Sequence, residues 1–143
     1  MADDKNLIAG LNEDLGYEYA AIITYRTYAS QVQGQWRVEL RNFFEQEIPD
    51  EIGHAQLLAD KIVALGGEPV TVAKPVKPAS SAKEMLENAL VDEEATIERY
   101  VKRRKLAEEL GHYGLAVDLD DLIRDESNHR DEIRMILRRW DAS

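Results

Sequence analysis

Apolar residues recur at steps of three and four along most of this chain, the spacing that lines one face of an α-helix. The first such run extends from about Lys5 to Gln33 and places Leu11, Leu15, Ile22, Tyr25, Ala29 and Val32 on one stripe. A second, from about Trp36 to Leu65, carries Leu40, Phe44, Leu58 and Ile62 and stops at Gly66-Gly67, a frequent helix C-terminal signal. Pro49 falls inside it and removes one backbone hydrogen bond, which predicts a bend there. A third run opens with Ser81-Ala82-Lys83-Glu84, the pattern of a capping box. It continues through Leu86, Leu90, Ile97 and Tyr100 to the Gly-rich turn "LGHYG" at 110–114. The fourth fills Leu115 to Trp140 and has the most regular stripe: Leu115, Leu119, Leu122, Ile133, Ile136 and Trp140.

Four long helices joined short, long, short predict an all-α four-helix bundle. The helix pair 5–65 is followed by a crossover at 66–80 and a second helix pair at 81–140, in one domain covering 1–143. The connection "GGEPVTVAKPVKPASS" holds three Pro and reads as extended chain. Its length lets the second and third helices run parallel. An up-down bundle with a loose middle loop is the other topology the pattern allows.

The polar residues that interrupt the stripes carry the chemistry. Glu18 breaks the first, Glu51 and His54 the second, Glu93 the third, and Glu126 and His129 the fourth. A single Glu-x-x-His in a Glu-rich helix is ordinarily a solvated pair. Here the chain repeats itself at an offset of 75 positions: Glu18 maps to Glu93, Tyr25 to Tyr100, Glu51 to Glu126 and His54 to His129. The repeat also selects Glu93 over Glu94. An unpartnered buried carboxylate costs several kcal/mol or takes up a proton. Four of them converging call for cations between them. Four Glu and two His, arranged as Glu from two helices and Glu-x-x-His from the other two, are the ligand set of di-iron and di-manganese carboxylate bundles. Oxygen ligands with imidazole and no sulfur suit two iron ions or manganese, with zinc as a substitute. Asp50 and Asp125 each precede a ligand His by four residues. They either accept from the ring's other nitrogen and orient it, or are plain helix-surface charge. Tyr25 and Tyr100 either hydrogen-bond a ligand carboxylate, supply an electron, or pack the core. Glu47, one turn before Glu51, offers a further carboxylate, but its counterpart in the repeat is Leu122. His112 reads as a surface residue of the turn.

Composition narrows the partners. A net charge of −10 argues against a nucleic-acid partner, which needs a basic surface. It suits cations, or simply solubility. Zero Cys excludes disulfides, thiolate metal sites and iron–sulfur clusters. The acidic start "MADDKNLIAG" lacks the apolar core of a signal peptide, and no apolar run is long enough for a bilayer. A cytoplasmic protein with no membrane partner is expected.

"EYAAIITYR", "DEIGH", "EMLENALVDEE" and "LIRDESNH", in that order and spacing, resemble segments of the ferritin-like superfamily and of bacterioferritins most closely. The resemblance runs from Leu7 to about Trp140. It implies a ferritin-like bundle in which Glu18, Glu51, His54, Glu93, Glu126 and His129 are ferroxidase-type di-iron ligands, with Glu51 and Glu126 bridging the metals. The implied activity is oxidation of two Fe(II) by O2 or peroxide, for iron storage or detoxification. An oxygen-activating oxidase acting on an organic substrate at the same centre is the alternative. Ile52 stands where bacterioferritins carry the haem-binding Met, so haem is not expected. A counterpart of their short fifth helix is not expected after Trp140. The implied assembly is a homo-oligomer, either a dimer or a shell smaller than the 24-subunit cage. The extra Glu of rubrerythrins is Thr96 here.

Overall fold

The computed structural model describes residues 2–141, and side chains from residue 4. Met1 and the last two residues, which the expected domain limits 1 and 143 include, lie outside the described residues. Four helices account for the fold: α1 (Ala2–Gln31), α2 (Arg37–Ala64), α3 (Ala82–Glu109) and α4 (Tyr113–Leu137). The boundaries fall within a few residues of those read from the stripes. α1 stops at Gln31 rather than Gln33, and α4 starts at Tyr113, earlier than Leu115, and ends at Leu137, short of Trp140. Such ends fray, and pattern alone does not fix them.

Local chemistry explains the ends. After α2 the chain turns through Gly66 at φ +91°, a conformation an L side chain rarely adopts. There the Gly67 amide donates to Ile62 O at 2.8 Å and the Gly66 amide to Val63 O at 2.9 Å, which satisfies the last free carbonyls. At the start of α3, Ser81 Oγ accepts from the Glu84 amide at 3.1 Å, half of the expected capping box. Pro49 is exposed and α2 continues through it as one helix. His112 is not a free surface residue. It is half-buried, and its Nε2 lies 2.9 Å from Asp4 Oδ1, tying the α3–α4 turn to the start of α1.

α1 packs along α2, and α3 along α4; α1 also meets α3, and α2 meets α4, along thinner seams. The crossover 66–81 is pinned along α1 rather than loose. The Asn12 side chain accepts from the Val70 amide at 2.9 Å and donates to Glu68 O at 3.0 Å. The Lys74 amide donates to Gly16 O at 3.0 Å, and Tyr28 Oη donates to Lys77 O at 2.7 Å. The segment therefore climbs α1 from Asn12 to Tyr28 and delivers α3 parallel to α2. This is the crossover topology and not the up-down one.

The core divides in two. Leu7, Leu11, Leu15, Leu58, Ile62, Leu115, Leu119 and Leu122 form one cluster. Tyr28, Ala29, Val32, Leu40, Phe44, Met85, Leu86 and Ile133 form the other. Between them lies a layer of buried charged groups: Glu18, Glu47, Glu51, His54, Glu93, Glu126 and His129. Fully burying one Leu contributes about 1.5–3 kcal/mol, whereas an uncompensated buried charge costs several. Bare carboxylates in this layer would offset much of the core around them. Among the described residues, no helix is long and apolar enough to cross a membrane.

Candidate metal centre

Glu18, Glu51, Glu93 and Glu126 are 1–3% exposed, and His54 and His129 4% and 7%, so all six stripe-breaking residues point inward. Glu94, the neighbour the repeat rejected, is exposed. The six form two overlapping groups. Glu18, Glu51, His54 and Glu126 each offer an oxygen or nitrogen within 4.8 Å of the others, and so do Glu51, Glu93, Glu126 and His129. Glu51 and Glu126 belong to both groups and stand between the two positions.

The hydrogen bonding has the symmetry of the sequence repeat. Tyr25 Oη on α1 donates to Glu93 Oε1 on α3 at 2.5 Å, and Tyr100 Oη on α3 donates to Glu18 Oε1 on α1. Because α1 and α3 are antiparallel, stepping up one helix steps down the other, so each Tyr serves the Glu of the opposite half. Asp50 and Asp125 follow the same rule. His129 Nε2 lies 2.9 Å from Asp50 Oδ2, and His54 Nε2 lies 3.0 Å from Asp125 Oδ2. Spacing along one helix pairs each Asp with the His four residues on; the structure corrects this to pairing across the α2–α4 seam. Both Asp are about half exposed, so they sit where the layer meets solvent.

With Nε2 engaged, each imidazole presents Nδ1 to the carboxylates. His54 Nδ1 is 2.9 Å from Glu126 Oε1 and 3.8 Å from Glu18 Oε1. His129 Nδ1 is 2.8 Å from Glu47 Oε2, 3.4 Å from Glu51 Oε1 and 3.8 Å from Glu93 Oε1. These are close approaches without hydrogen-bond geometry. Eight buried side-chain atoms lack a hydrogen-bond partner among the described residues: Glu18 Oε2, Glu51 Oε1, His54 Nδ1, Glu93 Oε2, Glu126 Oε1, His129 Nδ1, Glu47 Oε2 and Arg99 Nε. The first six are one atom from each of the six residues. Buried polar atoms are ordinarily satisfied, so a layer of lone pairs facing one another fits a cation at each position.

The electrostatics agree. Burial, then the charges of Glu126 and Glu18, push Glu51 well above the usual carboxylate range. Burial and Glu93 do the same to Glu126. Glu18 is also pushed up by burial, but the neighbouring Glu51 carboxyl and His54 imidazole outweigh this and hold it below its ordinary value. Burial opposes a charged His54, yet the Glu18 and Glu51 carboxylates prevail and raise it from 6.5 to about 9. His129 is raised further, against burial, by Glu47, Glu51 and Glu93. Without metal, protons occupy this layer. Burial and then Glu93 or Glu18 keep the Tyr25 and Tyr100 hydroxyls protonated, as donors.

A family model described as "Ferritin-like domain" matches residues 8–143. The chain belongs to the ferritin-like family. Among solved structures, one described as ferritin-like, diiron-carboxylate proteins from Bacillus anthracis str. Ames is 50% identical with a TM-score of 0.94, covering 96% of this chain and 99% of its own. The Desulfovibrio desulfuricans bacterioferritin, whose structure is described as showing the diiron site in different catalytic states, is 27% identical with a TM-score of 0.89, over 96% of this chain and 81% of its own. By sequence, a bacterioferritin of Brucella melitensis is 26% identical over 132 residues, 92% of this chain and 82% of that protein. The ferritin-like chain thus stands near bacterioferritins, as its motifs implied, and carries a buried carboxylate–histidine cluster.

Two features of the layer were under-read from the sequence. Glu47 is buried and reaches His129, although its repeat counterpart is Leu122; with Asp50 and His129 it forms a third close group. Asp14, four residues before Glu18 on the same face, is 1% exposed and held by Arg103 at 2.8 and 3.1 Å. Arg103 reaches it by passing over Gly10, where a Cβ would stand 2.6 Å from the guanidinium. The signal for Asp14 was its place on the stripe between Leu11 and Glu18.

Proposed function

We propose that this ferritin-like protein takes two Fe(II) ions as substrate and oxidises them with O2 or peroxide, in ferroxidase-type iron handling. Glu18, Glu51, His54 and Glu126 would hold one ion, and Glu51, Glu93, Glu126 and His129 the other, with Glu51 and Glu126 shared. The observation that carries this reading is the one unpartnered buried atom on each of those six residues. Two Fe(II) give up two electrons together, which reduces one O2 to peroxide or one peroxide to two waters. The protein's part is to hold both ions in a layer between the two apolar clusters and to accept the positive charge that develops. The Tyr25 and Tyr100 hydroxyls hold Glu93 and Glu18 in place, and Asp50 and Asp125 hold the His rings with Nδ1 inward. Manganese suits the same donors, and zinc would occupy them as a redox-inert substitute.

Anaerobic Fe(II) titration should saturate at two ions per chain, and admitting O2 should give an oxidation transient with many turnovers. Glu51→Ala and Glu126→Ala should abolish both. Failure to saturate, or binding that survives both substitutions, would refute the assignment. Solution mass reports the assembly, since mineral storage needs an enclosed shell. A single turnover that stalls would favour the oxidase reading, for which the cavity described next is the specific support.

A further inference from the structure

The two thin seams of the bundle differ. Across α2–α4 the Asp50–His129 and Asp125–His54 contacts cover the metal layer. Across α1–α3 small side chains face each other, among them Ala20, Ala21 and Ala89, and a cavity of about 240 Å³ runs in from the surface. Its inner wall includes Glu51, Glu93 and Glu126. At about 30 Å³ per water in the liquid, this is room for roughly eight waters, or one small organic molecule.

The rim is not built for cations. Lys77 and Asp92 neutralise each other at 2.9 Å. Arg99 has no such match. Its guanidinium lies 3.6 Å from the centre of the Tyr17 ring, and one Nη2 donates to Thr96 Oγ1 at 2.8 Å. Its nearest carboxylate, Asp14, is 3.8 Å from Nε and is already engaged by Arg103. The Arg99 Nε–H is buried with no acceptor, the one unpartnered donor outside the metal layer among the described residues. Nε thus faces Asp14, and among the described residues the hydrogen bond to Thr96 is the one the guanidinium makes, so its Nη edge keeps N–H groups to spare; a stacked guanidinium of this kind is preorganised for a carboxylate. An incoming metal ion would meet this positive charge before any acidic group of the layer.

We propose that the cavity binds a small organic monocarboxylate. Its carboxylate would sit on Arg99 and Thr96, and its short apolar chain between Ala20, Ala21 and Ala89, with the inner end against Glu51 and Glu126. The head group is thereby kept at the rim, away from the acidic layer, and the carbons go where the walls are apolar. The proposal rests on the ferroxidase-type reading only for what the inner wall holds, not for the binding itself.

Butanoate is the probe, titrated calorimetrically into Zn(II)-loaded protein, with n-butanol and inorganic phosphate as separate arms. Butanoate should bind once per chain with a Kd of about 1 mM. Arg99→Gln should weaken it about tenfold or more, and Ala21→Leu, which fills the cavity, should do the same. Neither n-butanol nor phosphate should bind comparably. Butanoate binding undiminished in Arg99→Gln would mean coordination to zinc alone and would overturn the proposal. So would phosphate binding as tightly as butanoate, or no saturable butanoate binding to the wild type. Thermal melts establish that each variant folds; should Ala21→Leu not fold, Arg99→Gln and the two control ligands still decide. The same titration into chelator-treated, metal-free protein should show the same dependence on Arg99, so failure of the Fe(II) titration would leave that arm intact and the two ideas fail separately.

Discussion

The crossed aspartate–histidine pairing makes a prediction that spacing along the helices does not. Asp50→Ala should weaken the metal position of His129, on another helix, and spare that of His54, four residues away on its own. Asp50 Oδ2 is 2.9 Å from His129 Nε2, but Asp50 is about half exposed, with 53% of its side-chain surface accessible. Screening therefore limits its worth in the metal-free fold to about 1 kcal/mol, that of a hydrogen bond. With metal bound, losing the group that fixes a ligand His typically costs about 10–100-fold in affinity, or roughly 1.4–2.8 kcal/mol. Side-chain ¹⁵N NMR of the histidines in Zn(II)-loaded protein, with competitive Zn(II) titration, measures both. Asp50→Ala should move the His129 resonances and lower the affinity of one of two sites; Asp125→Ala should do the same for His54. A double-mutant cycle with His129→Gln should show Asp50 contributing little once that ring is gone. If Asp50→Ala instead perturbs His54, or weakens binding equally with and without His129, the crossed arrangement is not the one that orients the ligands.

Further outcomes follow from the same layer. Glu126→Gln keeps the side-chain volume and removes a carboxylate that can ionise beside Glu51 and Glu93, so metal binding should be lost while the metal-free melting temperature holds or rises. Metal-free stability should fall as pH rises from about 6.5 to about 9, read by chemical denaturation in chelator. His54, raised from 6.5 to about 9, stabilises the fold when protonated, fully so below 6.5, and that contribution is gone above 9. The raised Glu51 and Glu126 act in the same direction; a metal-free protein that gains stability over this range would contradict the scheme. Tyr25→Phe leaves Glu93 without its donor and should cost about 1.5–3 kcal/mol in denaturant unfolding; no loss would mean the hydroxyl is incidental. Arg103→Met should cost about 3–5 kcal/mol by stranding buried Asp14, and Asp14→Asn in the same chain should recover part of it.

Much of this was legible because the polar interruptions obey the same periodicity as the core. Glu18 and Glu126 could be read as inward-facing from Leu15 and Leu122 alone, and the repeat singled out Glu93 beside Glu94. The crossover was legible from its three Pro, but its attachment along α1 was not, since Asn12, Gly16 and Tyr28 carry no mark of a partner more than 45 residues away. The crossed pairings were illegible for a related reason. They depend on the antiparallel register of α1 with α3 and of α2 with α4, which is set by packing between hairpins. The cavity depends on the volume left between two helices, and a run of Ala reads equally well as tight packing.

The crossing has a bearing on how such a chain could have arisen. Every cross-hairpin contact at the centre joins residue types that one hairpin already contains: the first has Tyr25 with Glu18 and Asp50 with His54, and the second has Tyr100 with Glu93 and Asp125 with His129. Two copies of a single hairpin, set about the same axis, would therefore supply every pair. A half-length, self-associating ancestor is chemically sufficient, and duplication with fusion through the crossover would convert a pair of chains into one. Fusion also frees the halves to diverge, and Glu47 opposite Leu122 is where this chain has used that freedom closest to the buried carboxylate–histidine cluster.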